Sequence, residues 1–414
     1  MMVGAFSEWR KLPISLSELC INTTLRCGQS FRWHKVSDND EWRCVLYGRL
    51  VSLKQDPTHL YYRTYVKPKL SASCNGSESE SEDTTLAIIK HYFNLTSNLT
   101  TLYAQWSSSD PNFRKKASQF TGIRILRQDA WEALISFICS SNNNISRIGQ
   151  MVEKLCVNYG VHVANIDGHA YHEFPPPERL AEDEGLEARL RSLGFGYRAK
   201  YIYQTAVIVA KQKESGWLNS LRNPEAPAFG SEVVAGQEGE MPPEGRSGYR
   251  EAHEKLLELQ GVGPKVADCV ALMGLGWGES VPVDTHVWQI AQRDYKFGKG
   301  AHKSLTKATY DAVGNHFRKL WGKEAGWAHS VLFTADLKTF SDRLVATTKQ
   351  AKVDIEVKQE ENGAKITATT TELNVALKRA ANEDKIKLEL DDEKVELVTG
   401  STTGTRRTSK RLRR

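Results

Sequence analysis

LQGVGPKVADC at 259–269 and VPVDTHVWQIAQRDY at 281–295 decide how this chain is read. The first stretch ends one helix, turns through Gly261-Val262-Gly263 and opens a second helix with Pro264 and Lys265. Pro suits the first helical position, where its missing N–H costs nothing. Gly261 and Gly263 permit a tight turn and let backbone approach a ligand. N–H groups at such a helix start form an anion site, with a DNA phosphate as a natural occupant. A lone GxG would mean only a turn between packed helices, but the L-x-G-V-G-x-K pattern points to DNA binding. Lys265 at the helix start is a candidate Schiff-base nucleophile, against the plainer reading of a solvent-facing phosphate contact. Asp284 precedes a helical pattern, where capping alone would account for it. A capping carboxylate is also rigidly held, and can stabilise positive charge at a reaction centre.

The two helices of this hairpin, expected within 250–275, have apolar faces: Ala252, Leu256 and Leu259 on the first, Val266, Cys269, Val270 and Met273 on the second. Upstream, 10–66 reads as strands, with SFRWHKV, WRCVLYGRLVSL (Gly48 a turn) and LYYRTYV rich in aromatic and β-branched residues. SASCNGSESESEDTT at 71–85 reads as an acidic loop. Helical periodicity starts at about 86. In 126–156, Trp131, Leu134, Ile135 and Ile138 mark one apolar face, and Ile145, Ile148, Val152 and Leu155 another, with an Asn142–Asn144 corner between them. The Pro-, Gly- and Glu-rich 222–248 reads as a flexible insertion, and the helical pattern resumes until about 340. Residues 341–414 hold no aromatic residue, end in RRTSKRLRR and read as a mostly disordered tail.

The expected class is α+β, an antiparallel sheet domain (1–110) packed on a helical domain (111–340). The 414 residues are 40% hydrophobic, enough for a large core, and the net charge of +6 leans toward a polyanionic partner. No apolar run suggests a signal peptide or membrane span. Seven scattered cysteines argue for reduced thiols rather than disulfides, a zinc site or an iron–sulfur cluster.

Six blocks in order carry a resemblance: CGQSFRW (27–33), LRQD...SFICSSNNNISRI (126–148), LGFGYRAKYI (193–202), GVGPKVADC (261–269), VPVDTHVWQIAQRDY (281–295) and AGWAHSVLFTADL (325–337). Together they resemble the eukaryotic 8-oxoguanine DNA glycosylase/AP lyases of the helix-hairpin-helix Gly/Pro-Asp superfamily, over roughly 10–340. The resemblance implies excision of 8-oxoguanine opposite cytosine, then strand nicking by β-elimination, with Lys265 as nucleophile and Asp284 as catalytic aspartate. It also implies that the Gly28 carbonyl accepts the N7 hydrogen of the oxidised base, and that Cys269 and Phe333 sandwich that base. Asn142 would fill the space opposite the estranged cytosine, Arg147 and Arg198 would read it, and Tyr197 would wedge into the stack. His286 would lie on the phosphate side, and Gly261 and Gly263 would make the hairpin contact to DNA.

Without the family, Cys269 and Phe333 read as core, Tyr197 and Arg198 as a surface turn, and His286 equally as a packed histidine. One departure stands out: where the family has a glutamine gripping the Watson–Crick edge of the base, this chain has His329. The implied partner is duplex DNA containing oxidised guanine, acted on by a monomer without organic cofactor, redox metal or membrane attachment, with an ion on the hairpin carbonyls left open. The basic chain end suggests a nuclear location, with room for a mitochondrial share. Two alternatives stand beside it: the same fold acting on another damaged or mispaired base, and a non-catalytic DNA-binding module that keeps only the hairpin.

Overall fold

Alternation of apolar and polar residues in 42–66 builds a hairpin ladder, and its turn is chosen by backbone chirality. Tyr47 and Gly48 both have positive φ (49° and 76°), as a two-residue type I′ turn requires. The computed structural model describes residues 4–36, 40–66, 78–234, 241–298 and 304–340. Six strands, β1 (Ala5–Phe6), β2 (Arg10–Pro13), β3 (His34–Lys35), β4 (Trp42–Leu46), β5 (Arg49–Gln55) and β6 (His59–Val66), form an antiparallel sheet ordered β1-β6-β5-β4-β3, with β2 also paired to β6. Trp42 faces Leu53, and Leu53 faces Tyr62, so one apolar row crosses three strands.

Two parts of the sheet region depart from expectation. Ile21–Thr24 is a short helix, α1, and of SFRWHKV only His34–Lys35 pairs as strand. The rest is drawn off the sheet by side-chain bonds: Arg32 Nη1 donates to Glu132 Oε2 at 2.7 Å, and Trp33 Nε1 to the Tyr92 hydroxyl at 3.0 Å. The acidic run is also corrected. Its residues 78–85 lie in helix α2 (Glu78–Tyr92), while 71–77 lie outside the described residues. Ile88, Ile89, Tyr92 and Phe93 at the end of this helix pack against the sheet residues Trp42, Leu53 and Leu60.

Helices α3 (Leu99–Ser109) and α4 (Pro111–Ala117) lead to an extended crossing at 121–129. Its Arg124 is 1% exposed, and its guanidinium bonds the Glu18 carboxylate and the carbonyls of Glu18, Asn94 and Ser97. Such burial of charge holds only when it is paired and hydrogen-bonded throughout. Helix α5 (Ala130–Cys139) is buried all round except at Glu132, and α6 (Ile145–Tyr159) buries one face, so the Asn-rich corner falls where the pattern places it. A small hairpin, β7 (His162–Ile166) and β8 (His169–His172), precedes α7 (Pro177–Ala181), α8 (Leu186–Ser192), α9 (Arg198–Val207) and α10 (Trp217–Ser220). The remainder is α11 (Ser247–Leu257), α12 (Pro264–Met273), α13 (Thr285–Tyr295), α14 (Lys307–Trp321) and α15 (Ala325–Asp336). Sheet and helices fall in one compact unit, Met1–Leu344. The expected tail, 341–414, lies outside the described residues.

The insertion expected to be flexible at 222–248 is anchored at several points in its described parts, 222–234 and 241–248. Asn223 Nδ2 donates to the Gly276 carbonyl at 2.9 Å, and Phe229 packs on Tyr47 with ring centroids 4.9 Å apart. Arg246 forks onto Glu279 with two bonds of 2.8 Å and reaches Glu225 at 3.1 Å. A few anchors, rather than an apolar face, hold these parts, and composition does not reveal them.

Glu324 lies beside this ionic cluster. Burial, with the Glu279 charge adding, pushes its carboxyl up to about 7 against the pull of Arg246 and Arg127. Unfolding therefore releases a proton between pH 4.5 and about 7. The stability this group contributes is complete below 4.5 and lost as pH rises through 7, a change of about 3 kcal/mol. Glu324→Gln is expected to unfold at higher denaturant than wild type at pH 8, with the gain vanishing near pH 4; urea unfolding at the two pH values checks it.

Candidate active site

The hairpin forms because each glycine meets a different constraint. Gly261 has φ +77°, and a Cβ there would lie 2.6 Å from the Tyr201 ring, so no side chain fits. Gly263 faces open space and caps α12 without any side chain, leaving the helix start free to meet an anion. Past the next loop, Asp284 caps α13, accepting the Val287 N–H at 2.9 Å. The capping reading of Asp284 thus holds, and the same side chain borders a cavity.

That cavity gathers residues from both ends of the chain: Gly28 from the sheet region, Lys265, Cys269 and Met273 from α12, Asp284 and Val287, and His329 and Phe333 from α15. Lys265 Nζ donates to Ser140 Oγ at 3.3 Å and sits 5.3 Å from the Phe137 ring centroid; among the described contacts it makes no ion pair with Asp284. Burial pushes the Cys269 thiol up to about 11, partly offset by Lys265, so it is a neutral wall of the cavity. Phe333 is only partly buried, and the His286 ring meets it edge-on at 6.2 Å. His286 itself is exposed, which excludes the packed-histidine reading. His329 is 5% exposed, and both its ring nitrogens lack a partner. Burial pushes it down to about 4, so the ring is neutral near pH 7. An unpartnered buried imidazole facing a cavity holds one donor and one acceptor in reserve for a ligand.

Gly28 (φ +81°) is held by its neighbour Gln29, which is 2% exposed. Gln29 Nε2 donates to the Arg124 carbonyl at 2.9 Å, Gln29 Oε1 accepts the Leu126 N–H at 3.0 Å, and the Gln29 carbonyl accepts from Gln128 Nε2 at 2.9 Å. The Gln128 N–H in turn donates to the Met273 carbonyl at 2.8 Å, which joins the Gly28 loop to the end of α12. Sequence reading missed Gln29, Phe137, Ser140 and Met273. The only signal for the first three was membership of the CGQSFRW and SFICSSNNN blocks, while Met273 showed only as part of an apolar helix face.

A second group lies at the α5–α6 corner. Asn142 has φ +48°, in the left-handed region. Arg198, 3% exposed, donates to the carbonyls of Ser141 and Asn142, and the Tyr197 hydroxyl donates to Ser141 at 3.0 Å. Tyr197 is 45% exposed, and Arg147 bonds the Gly194 carbonyl at 3.3 Å. Ser140, which holds Lys265, adjoins Ser141, so this polar corner borders the cavity. Among the described residues, no three His, Cys, Asp or Glu side chains converge to hold a metal, and no helix is long and apolar enough to cross a membrane.

An antiparallel sheet joined to helices that carry a glycine hairpin, a lysine and a capping aspartate defines a helix-hairpin-helix base-excision protein. A family model of HhH-GPD superfamily base excision DNA repair proteins matches 135–321, and one of the 8-oxoguanine DNA glycosylase N-terminal domain matches 11–134. The N-glycosylase/DNA lyase of Saccharomyces cerevisiae is 37% identical over 377 residues, 84% of this chain and 92% of that protein. The Arabidopsis thaliana N-glycosylase/DNA lyase OGG1 is 37% identical, with 80% of each chain covered. The DNA complex of MBOgg1 superposes with a TM-score of 0.60 at 27% identity, covering 81% of this chain and 98% of that one. The chain belongs to the 8-oxoguanine DNA glycosylase family of the HhH-GPD superfamily.

Gln29→Ala would leave the buried Arg124 carbonyl and Leu126 N–H unpaired, at a cost of about 2–3 kcal/mol. On the expectation that the Gly28 carbonyl meets the base, this variant's excision of a damaged base should fall more than its reaction with an abasic site. Parallel single-turnover assays on the two duplexes check this.

Proposed function

We propose that the protein removes 8-oxoguanine paired with cytosine from duplex DNA and then nicks the strand. It is a DNA N-glycosylase with AP lyase activity. The observation that carries the substrate assignment is the single cavity on which Gly28, Lys265, Cys269, Asp284 and Phe333 converge.

The damaged nucleotide rotates out of the stack, and its base enters between Cys269 and Phe333. The oxidised purine carries hydrogen on N7, which the Gly28 carbonyl accepts. Guanine offers a lone pair there, and two facing acceptors would cost the complex a buried unmet group. Lys265 Nζ attacks C1′ as the glycosidic bond breaks, and the base departs with the bonding electrons and takes up a proton. The Asp284 carboxylate, fixed by its bond to the Val287 N–H, stabilises the positive charge on the sugar. Loss of a proton from nitrogen and ring opening give the Schiff base. Removal of a C2′ proton then expels the 3′ phosphate by β-elimination.

Asn142, Arg147, Tyr197 and Arg198 occupy the gap and face the widowed cytosine. Their clustering where the start of α9 meets the α5–α6 corner, beside the cavity, supports this role. The exposed His286 and the Gly261-Gly263 turn serve the phosphates. His329 supports a second reading: a neutral imidazole offers a single contact to the base edge, which suits a purine other than a guanine derivative as well. We further infer that the protein acts as a monomer in the nucleus, the latter supported by the basic residues Arg406–Arg407 and Lys410–Arg414.

Borohydride is expected to trap a covalent adduct between wild type and 8-oxoguanine:cytosine duplex, and none with Lys265→Gln; an adduct that persists overturns the nucleophile. In a cleavage panel, 8-oxoguanine opposite cytosine should lead, and a preference for thymine glycol or an adenine mispair overturns the substrate. Asp284→Asn keeps a capping oxygen, so the fold should stand while excision slows roughly 10²-fold. Circular dichroism beside single-turnover kinetics separates the two effects.

A further inference from the structure

Behind the catalytic helix, Asp268 is 1% exposed and takes no part in the chemistry above. It lies on α12 one turn after Lys265 and lines a separate cavity with Tyr249, His253, Tyr310 and Arg318. Three hydroxyls from three elements surround its carboxylate. The Tyr249 hydroxyl of α11 donates to Oδ1 at 2.5 Å, and the Tyr310 hydroxyl of α14 donates to Oδ2. Ser280 Oγ stands 2.8 Å from both Oδ1 and the Asp268 carbonyl, and its one proton serves either. Burial, with the Asp268 charge adding, pushes both tyrosine phenols upward, so they remain donors.

The Tyr310 oxygen also accepts the Val283 N–H at 3.4 Å. Val283 immediately precedes Asp284. A continuous path therefore runs from Lys265 through one turn of α12 to Asp268, across the Tyr310 hydroxyl, and into the backbone that carries Asp284. No direct contact between Lys265 and Asp284 fixes their spacing, so something else must. We propose that Asp268 and Tyr310 are positioning residues, which set the register of the Lys265 amine against the Asp284 carboxylate. This inference rests on the assignment of those two as the reacting pair.

A carboxylate that only ties helices together would depend on all its donors alike. A positioning path depends on Tyr310 more than on Tyr249, because of the two phenols only Tyr310 bonds the residue that adjoins Asp284. The Tyr249 hydroxyl binds the same carboxylate and serves as the matched control. Misplacement of reacting groups by a fraction of an ångström is felt in the rate and spares ground-state binding.

The test compares wild type, Tyr310→Phe and Tyr249→Phe, well below each protein's unfolding midpoint. Borohydride trapping is followed at saturating abasic-site duplex, which needs no base recognition, and affinity is measured with a duplex carrying an uncleavable tetrahydrofuran abasic analogue. Tyr310→Phe is expected to slow trapping about 10-fold with affinity unchanged, and Tyr249→Phe to stay within about twofold of wild type. Equal slowing by both, or an unchanged rate in Tyr310→Phe, overturns the proposal. If Tyr310→Phe does not fold, Asp268→Asn is the second probe: slower trapping at equal affinity supports the path, and a wild-type rate overturns it. Absence of any adduct with wild type would instead overturn the Lys265 assignment on which the inference rests.

Discussion

The Gln29 side chain is the joint on which the rest of the structure depends. Its amide is buried and fully used, with Nε2 on the Arg124 carbonyl and Oε1 on the Leu126 N–H. Through Gln128 the same segment is bonded to the last residue of the catalytic helix. A loop after residue 25 and a helix after residue 264 thereby become opposite walls of one cavity. Neither wall has a local reason to stand where it does. The extended crossing between them is pinned in turn by Arg124, whose guanidinium is spent on Glu18 and three carbonyls, and by Trp327, whose indole N–H donates to the Ile123 carbonyl at 2.7 Å. Loss of such a bond costs more than its formation gains, because it strands a partner away from water.

Charge is distributed around this joint so that the cavity itself stays nearly neutral. Arg32–Glu132 and Arg246–Glu279 are buried pairs at the periphery, each part of a larger cluster. Inside, Cys269 keeps its proton and His329 stays unprotonated, both because burial disfavours their charged forms. Lys265 and Asp284 are each tied to a neutral partner, Ser140 and the Val287 N–H. Weak dielectric screening there strengthens the action of a carboxylate on a developing cation. The other walls of the cavity include groups that carry no charge: a carbonyl at Gly28, the Phe333 ring and the Cys269 thiol.

Local rules served the reading of the sequence wherever one short segment is sufficient. The turn at Gly48, the Asn corner between α5 and α6, the Pro264 helix start and the Asp284 cap all stand where residue type alone places them. Reading failed where distant partners decide. SFRWHKV has strand composition, but Arg32 and Trp33 are claimed by Glu132 and Tyr92. The acidic run has loop composition, but its later half is helical because apolar Ile88, Ile89 and Phe93 anchor the helix end on the sheet. Segment 222–248 has the composition of a free loop, yet Asn223, Phe229 and Arg246 fasten its described parts to residues far along the chain.

The sequence by itself determined the chemistry on offer: a hairpin shaped for phosphate, an amine at a helix start, a capping carboxylate, and the blocks that resemble a glycosylase. Those follow from backbone preferences and spacing, which act over a few residues. Only the tertiary structure decided that Gly28, Cys269, His329 and Phe333 share one cavity, that His329 lies there without partners, and that a buried carboxylate behind α12 connects to the Asp284 segment. Burial and hydrogen-bond partnership are properties of the packed whole, set by side chains more than a hundred residues apart, and no local pattern encodes them.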